Sequence, residues 1–335
     1  MSEVADESQS KASLTSSHTL PRAKGSKVNV DQQGRSFEDL TLDDLKTLQD
    51  ASLARLNTIF QETGSKCIDK SLIRTINEQT GFCSKRRWWP LKGSKKEPIV
   101  PVSISKCQLV RAVQFAGVPY HSSTEAVNCR RIPILLHECM RKIRESGLGT
   151  NGLFRINGSE KRIQALAQQF DTAPTTFEGC TSYDAADLLK RYIRELPEPL
   201  IPTELYPLFL KAIDLPCEKA MRIRAFRFLL LLLPPPHIVA FESILCLVGE
   251  VAARSSENQM TAHNLARIFA PNILRSKQQK QSLDEYERCS FVTEYLIEHW
   301  TQFLLTGPEL KPFEILDASY LTQFPGPRPE TDTKA

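Results

Sequence analysis

Ile132-Pro133-Ile134-Leu135-Leu136-His137-Glu138-Cys139-Met140-Arg141-Lys142-Ile143-Arg144-Glu145-Ser146-Gly147 is the stretch that decides the fold. Ile132, Leu135, Leu136, Met140 and Ile143 recur at helical spacing, Pro133 suits a first helical position, and Gly147 stops the run. The same period continues toward the C-terminus. Ser159 can cap a helix striped by Ile163, Leu166, Ala167 and Phe170, and Asp184 can cap another with Leu188, Leu189, Tyr192 and Ile193 facing inward. Further helices are predicted near 203–213, 218–233, 237–254, 261–270 and 284–304, while β-branched alternation is scarce outside Ile99 to Ile104. The fold class is therefore all-α, a single helical bundle.

Upstream, Thr41 opens a separate amphipathic segment, with Asp44 close to capping-box spacing. Leu42, Leu45, Leu48, Leu53, Leu56, Ile59 and Phe60 then recur at helical spacing, and the segment ends near Gly64. A helix of this kind is marginal alone, so it must dock on something. The residues before it are rich in Ser, Thr, Lys, Asp and Gln and almost free of aromatics, a composition that cannot offset the entropy of ordering. The expected organisation is disorder over 1–36, an amphipathic helix over 37–64, a basic Trp-containing connector over 65–114, the bundle over 115–305 and a tail over 306–335.

Bulk numbers exclude several classes. The net charge of +4 on 335 residues is too mild for a nucleic-acid binder, which would show a stripe of base. Nine cysteines include no Cys-x-x-Cys pair and no His stands at zinc-ligand spacing, so free thiols in a reducing compartment are expected. The longest apolar run, Phe228 to Leu233, is far short of the ~18 residues of a membrane span, and no secretory leader is apparent. A soluble, cytoplasmic protein without cofactor or metal is the expectation. No Gly-x-x-x-x-Gly-Lys-Ser/Thr loop is present, so the chain is not expected to bind a nucleotide alone.

Three blocks carry the candidate chemistry. In Gly152-Leu153-Phe154-Arg155-Ile156-Asn157-Gly158-Ser159, one arginine stands in a glycine-flanked turn. Arg155 either pairs with a nearby carboxylate such as Glu160 or projects from a loop whose base Gly152, Phe154 and Ile156 hold rigid. In Leu188-Leu189-Lys190-Arg191-Tyr192-Ile193-Arg194-Glu195-Leu196-Pro197-Glu198-Pro199-Leu200, Lys190 and Arg194 share one helical face, which is either a solvated basic face or a contact surface. Pro197 and Pro199 force the chain to turn there. In Asn264-Leu265-Ala266-Arg267-Ile268-Phe269-Ala270-Pro271-Asn272, Asn264 is expected to be a buried hydrogen-bonding residue. Asn272 either caps locally or reaches a partner. Guanidinium and ammonium groups in this pattern suit a surface that meets phosphate.

In order and spacing these blocks resemble the RhoGAP domain, the activator of Rho-family GTPases, over residues 115–305. The resemblance implies a RhoGAP-like helical bundle that is not itself an enzyme but a GTPase activator. Arg155 is then the catalytic arginine finger, and Lys190, Arg194 and Asn272 contact the GTPase. It further implies that Arg194 holds the finger loop while Lys190 and Asn272 dock the switch regions, with Gly152, Phe154, Asn264, Pro197 and Pro199 as structural support. Ala270 stands where many relatives have Gly. Phe37 to Gly64 resembles a segment preceding the domain in a Rho-directed subgroup, which implies GTP-bound Rho as partner ahead of Rac or Cdc42. The connector residues Lys85, Arg86, Arg87, Trp88 and Trp89 suit either a linker packed on the neighbouring domain or a peripheral contact with anionic lipid. The rival functions are a non-catalytic Rho-binding scaffold and a membrane-tethered adaptor.

Overall fold

A computed structural model of the chain describes residues 42–82, 108–119, 131–172, 177–277 and 282–304. The expected disorder over 1–36, the cap at Thr41, the connector residues Lys85, Arg86, Arg87, Trp88 and Trp89, the Ile99–Ile104 alternation and the 306–335 tail lie outside these residues.

The architecture is all-α. In chain order the helices are α1 (Leu42–Glu62), α2 (Ser71–Gln79), α3 (Leu109–Ala116), α4 (Ile134–Ser146), α5 (Glu160–Thr172), α6 (Ser182–Glu195) and α7 (Tyr206–Ile213). They continue with α8 (Lys219–Leu231), α9 (Pro235–Ala253), α10 (Ser255–Asn258), α11 (Ala262–Ile273) and α12 (Leu283–Glu298), followed by a 3₁₀ turn at Trp300–Phe303. Between α3 and α4, β1 (Gly117–Pro119) pairs antiparallel with β2 (Arg131–Pro133), with Val118 opposite Ile132. Arg131 locks the pair by donating from Nε and Nη2 to the Gly117 carbonyl at 3.1 and 2.6 Å.

α9 is the central helix. It is apolar on nearly every face and almost wholly buried, as a core helix must be when neighbours cover it all round. Its composition would suit a membrane span, but the bundle itself covers it. α3, α4, α11 and α12 pack on it, and α6 packs on α4, α5 and α11.

The N-terminal helix is built into this core. Leu45, Leu48, Leu53, Leu56, Ile59 and Phe60 of α1 are buried, α1 lies against α8, and Gln49 Nε2 donates to the Leu232 carbonyl at 3.1 Å. Each such side chain contributes about 1.5–3 kcal/mol on burial, which resolves the marginality of the lone helix. The 65–114 region is not simply a connector. It holds α2, whose Ile73 and Ile76 are buried, and most of α3, with Leu109, Val110, Ala112 and Val113 buried. Both helices are too short for periodicity to announce them.

Three helix ends differ from expectation. α4 begins only at Ile134, because Ile132 and Pro133 are taken by β2. α6 is capped by Thr181, with Asp184 as the reciprocal third residue of a capping box and not the cap itself. α11 does not stop at Pro271 but runs through it to Ile273. A proline lacks the N–H that would reach the Arg267 carbonyl, and the Tyr286 hydroxyl of α12 donates to that carbonyl at 3.0 Å.

Candidate functional site

The loop from Gly147 to Ser159 leaves α4 and returns into α5, and its backbone is tied at Leu148, Asn151, Gly152, Phe154, Gly158 and Ser159 to other parts of the fold. Buried Asn258 donates through Nδ2 to the carbonyls of Leu148 and Val251, both at 2.8 Å, and its own carbonyl accepts the Gly152 N–H at 2.7 Å. The Tyr183 hydroxyl donates to the Asn151 carbonyl at 2.8 Å. Gly152 adopts φ +69, and its carbonyl accepts the N–H groups of Arg155 at 2.9 Å and Ile156 at 2.8 Å. That left-handed backbone is what calls for glycine, since a Cβ there would crowd only the movable end of the exposed Ile156 side chain.

Phe154 carries the next constraint. It sits at φ +68, a state non-glycine residues seldom adopt, and its ring is buried edge-on against Phe269 of α11 at 4.9 Å and 73°. The aromatic anchor fixes the residue, and the following side chain is turned outward. Arg155 is exposed, and its guanidinium has no hydrogen-bond or ion-pair partner among the described residues. Glu160 is not its partner, because that carboxylate meets Arg191 at 3.5 Å and Gln164 at 2.8 Å.

α6 grips the far side of the loop. Lys190 Nζ donates to the Phe154 carbonyl at 2.6 Å and pairs with Asp187 at 2.6 Å, and Asp187 Oδ2 accepts the Gly158 N–H at 2.6 Å. One turn earlier, Asp184 accepts from Ser159 N–H, Thr181 N–H, the Thr181 hydroxyl and the Arg162 guanidinium. Burial pushes the Asp184 carboxyl up, but those donors outweigh it and hold it at about 2. Gly158 lies so close that an added Cβ would sit 2.6 Å from Asp184 Oδ1.

Beyond α6 the chain turns as expected at Pro197 and Pro199, with Pro199 buried and Pro197 exposed. Arg275 closes the end of α6, donating to the carbonyls of Arg194 at 3.0 Å and Leu196 at 2.6 Å. Burial lowers the pKa of that guanidinium, with Glu198 pulling the other way. His237, buried at the start of α9, donates from Nδ1 to the Leu200 carbonyl at 3.0 Å. Burial drives its pKa down to about 4, against the opposing carbonyls of Leu200 and Pro199. Arg194 itself points to solvent, and its side chain has no partner among the described residues.

Residues 133–278 match the family model of the RhoGAP domain. They form a RhoGAP domain. The chain is 30% identical over 243 residues to Rho-GTPase-activating protein 5 of Schizosaccharomyces pombe, covering 70% of this chain and 66% of that one. Rho GTPase-activating protein 7 of Mus musculus is 36% identical over 185 residues, 50% of this chain and 16% of its own length. Rho GTPase-activating protein 40 of Mus musculus is 34% identical over 167 residues, 47% of this chain and 24% of its own. The chain therefore spans 66% of the first relative and a quarter or less of the other two. The BH domain from GRAF, the GTPase regulator associated with focal adhesion kinase, aligns with a TM-score of 0.48 and 26% identity, covering 52% of this chain and 95% of that one.

Within the RhoGAP domain, the structure brings Arg155 and Lys190 to one loop, since Lys190 binds the carbonyl just before Arg155. The loop-holding task that the resemblance gave to Arg194 falls to Lys190, whose side chain is only 14% exposed. Asn272 is buried in the last turn of α11 and donates to the Ile268 carbonyl at 2.7 Å, the local alternative left open by the sequence. Asn264 is a correction. It is exposed at the third position of α11, its N–H taken by the Thr261 cap, because Leu265, Ala266 and Phe269 hold the inward face. The buried supporting asparagine is Asn258, which the sequence did not single out because α10 is too short to show a face. Asp187 was equally missed, although its i,i+3 spacing to Lys190 was visible.

Proposed function

We propose that this RhoGAP domain stimulates GTP hydrolysis by a Rho-family GTPase, with Arg155 donated in trans to the partner's nucleotide site. The observation that supports this reading is an exposed guanidinium with no partner among the described residues, on a loop whose backbone is bonded on both sides of it. A surface arginine of no consequence would be expected to find a carboxylate or to ride on a loose loop.

GTP hydrolysis passes through a loose transition state in which charge gathers on the phosphate oxygens. A planar guanidinium fork meets two of those oxygens at once and neutralises the charge in a site closed to water. Arginine fingers of GTPase activators as a class are worth roughly 10³–10⁵ in rate, about 4–7 kcal/mol. A rigid loop matters because the side chain then enters the cleft without first ordering its own backbone. Arg194, exposed on the same helix as Lys190, is then a docking contact for the partner. The resemblance of the Phe37–Gly64 segment supports Rho ahead of Rac and Cdc42 as the partner.

Single-turnover hydrolysis by purified Rho, Rac and Cdc42 tests the proposal. Arg155→Ala should lose about 10³-fold or more of the stimulation while still binding the GTP form. Stimulation unchanged by Arg155→Ala would remove the finger, and no stimulation by the wild-type chain would leave a binding module.

A further inference from the structure

We infer that Asp187 is a positioning residue for the loop that presents Arg155, acting through Lys190 and Gly158 and never touching the partner. The inference rests on the finger reading of Arg155.

One carboxylate and one ammonium, a helical turn apart on α6, hold the loop on either side of residues 155–157. Asp187 Oδ2 takes the Gly158 N–H at 2.6 Å, Asp187 Oδ1 meets Lys190 Nζ at 2.6 Å, and Lys190 Nζ donates to the Phe154 carbonyl at 2.6 Å. Both side chains are only 14% exposed, so water competes weakly for these bonds. Between the two anchored positions lie Arg155, Ile156 and Asn157, all exposed.

The relay is needed because of the backbone it restrains. Phe154 at φ +68 is held in a state that a non-glycine residue leaves when it can. Its buried ring fixes one side of the residue, and the Lys190 bond to its carbonyl fixes the peptide that leads into Arg155. Without Asp187, the Lys190 ammonium loses its only acidic partner among the described residues, and Gly158 loses its acceptor. The base of the finger would then sample several orientations. A misplacement of about 1 Å at a reacting group costs on the order of 10²-fold in rate.

Asp184 has a different task, although it lies one turn away. Its donors are Ser159, Thr181 and Arg162, so it completes the capping box of α6 and joins the start of α5 without bonding the residues on either side of Arg155. Changing Asp184 should lower stability, whereas changing Asp187 should lower turnover.

The test uses the full chain with a GTP-loaded Rho-family GTPase, comparing wild type, Asp187→Asn, Arg155→Ala and the double variant. Asp187→Asn should lower kcat by about 10- to 100-fold with KM for the GTP-bound partner changed less than about threefold. In the double variant, Asp187→Asn should add no further loss to that of Arg155→Ala, because it acts only through that side chain. Unchanged kcat, or an equal additional loss in the Arg155→Ala background, overturns the positioning role. If Arg155→Ala itself retains full stimulation, the finger reading fails first, which is a distinguishable outcome. A measurement on the wild-type chain needs no variant to fold: the Gly158 amide should exchange slowly with solvent, and exchange at the rate of a free loop amide overturns the bond on which the inference stands.

Discussion

The loop from Gly147 to Ser159 and the turn from Leu196 to Glu204 both attach to α6 and both gather charge, yet they handle it in opposite ways. In the turn every charge is used internally. Glu198 accepts from the N–H and hydroxyl of Thr203, Glu204 accepts from Gln79 and pairs with Lys277, and Arg275 closes the end of α6. In the loop the backbone is equally well bonded, but the Arg155 guanidinium has no partner among the described residues. The lesson is that density of charge does not mark a functional surface. A fixed backbone beneath an uncommitted side chain does.

The widest gap between the two regions should appear in function, where Arg155→Ala removes stimulation as set out above. The next widest is within the loop itself. Phe154→Ala deletes a buried ring and should lower unfolding free energy by about 3–5 kcal/mol in urea melts, whereas Arg155→Ala should leave it within about 0.5 kcal/mol. A large loss for Arg155→Ala would mean that its side chain does structural work after all.

Acid titration should separate the regions by pH. His237, beside the turn, has a folded pKa near 4 against about 6.5 unfolded, so the unfolded chain takes up the proton first. Stability should be flat above pH ~6.5 and fall by about 3 kcal/mol as pH drops to ~4. Asp184, behind the loop, contributes fully above pH ~4, and its share of about 2 kcal/mol is lost as pH falls through its folded value of about 2. His237→Asn should flatten the upper phase and leave the lower one, and an unchanged upper phase would assign it to another group. The smallest effect concerns Arg275, which closes the end of α6 where the turn begins. Arg275→Ala exposes the carbonyls of Arg194 and Leu196 and should cost about 1–2 kcal/mol, visible as a lowered melting midpoint.

Much of this architecture was legible because hydrophobic period is a local property. Leu135, Leu136, Met140 and Ile143 announced α4, and Leu188, Leu189, Tyr192 and Ile193 announced α6, since each had to face a core whatever that core contained. α2 escaped because nine residues carry too few turns, and α3 because its apolar run could not be told from a connector. Asn264 looked like the buried asparagine and Asn258 did not, since only the fold turns Asn264 to the outer face of α11 and brings the carbonyls of Leu148 and Val251 to Asn258.

The sequence by itself determined that the chain is a helical bundle and that Arg155 stands in a glycine-flanked turn between two amphipathic helices, for these depend on residue order alone. Only the tertiary structure decided which charges remain available. Lys190, Arg194 and Arg275 look alike along the chain, but the first is committed to the loop, the last to the end of α6, and Arg194 faces solvent. The physical reason is that a cation's availability depends on the carbonyls and carboxylates that folding brings to it from distant parts of the chain.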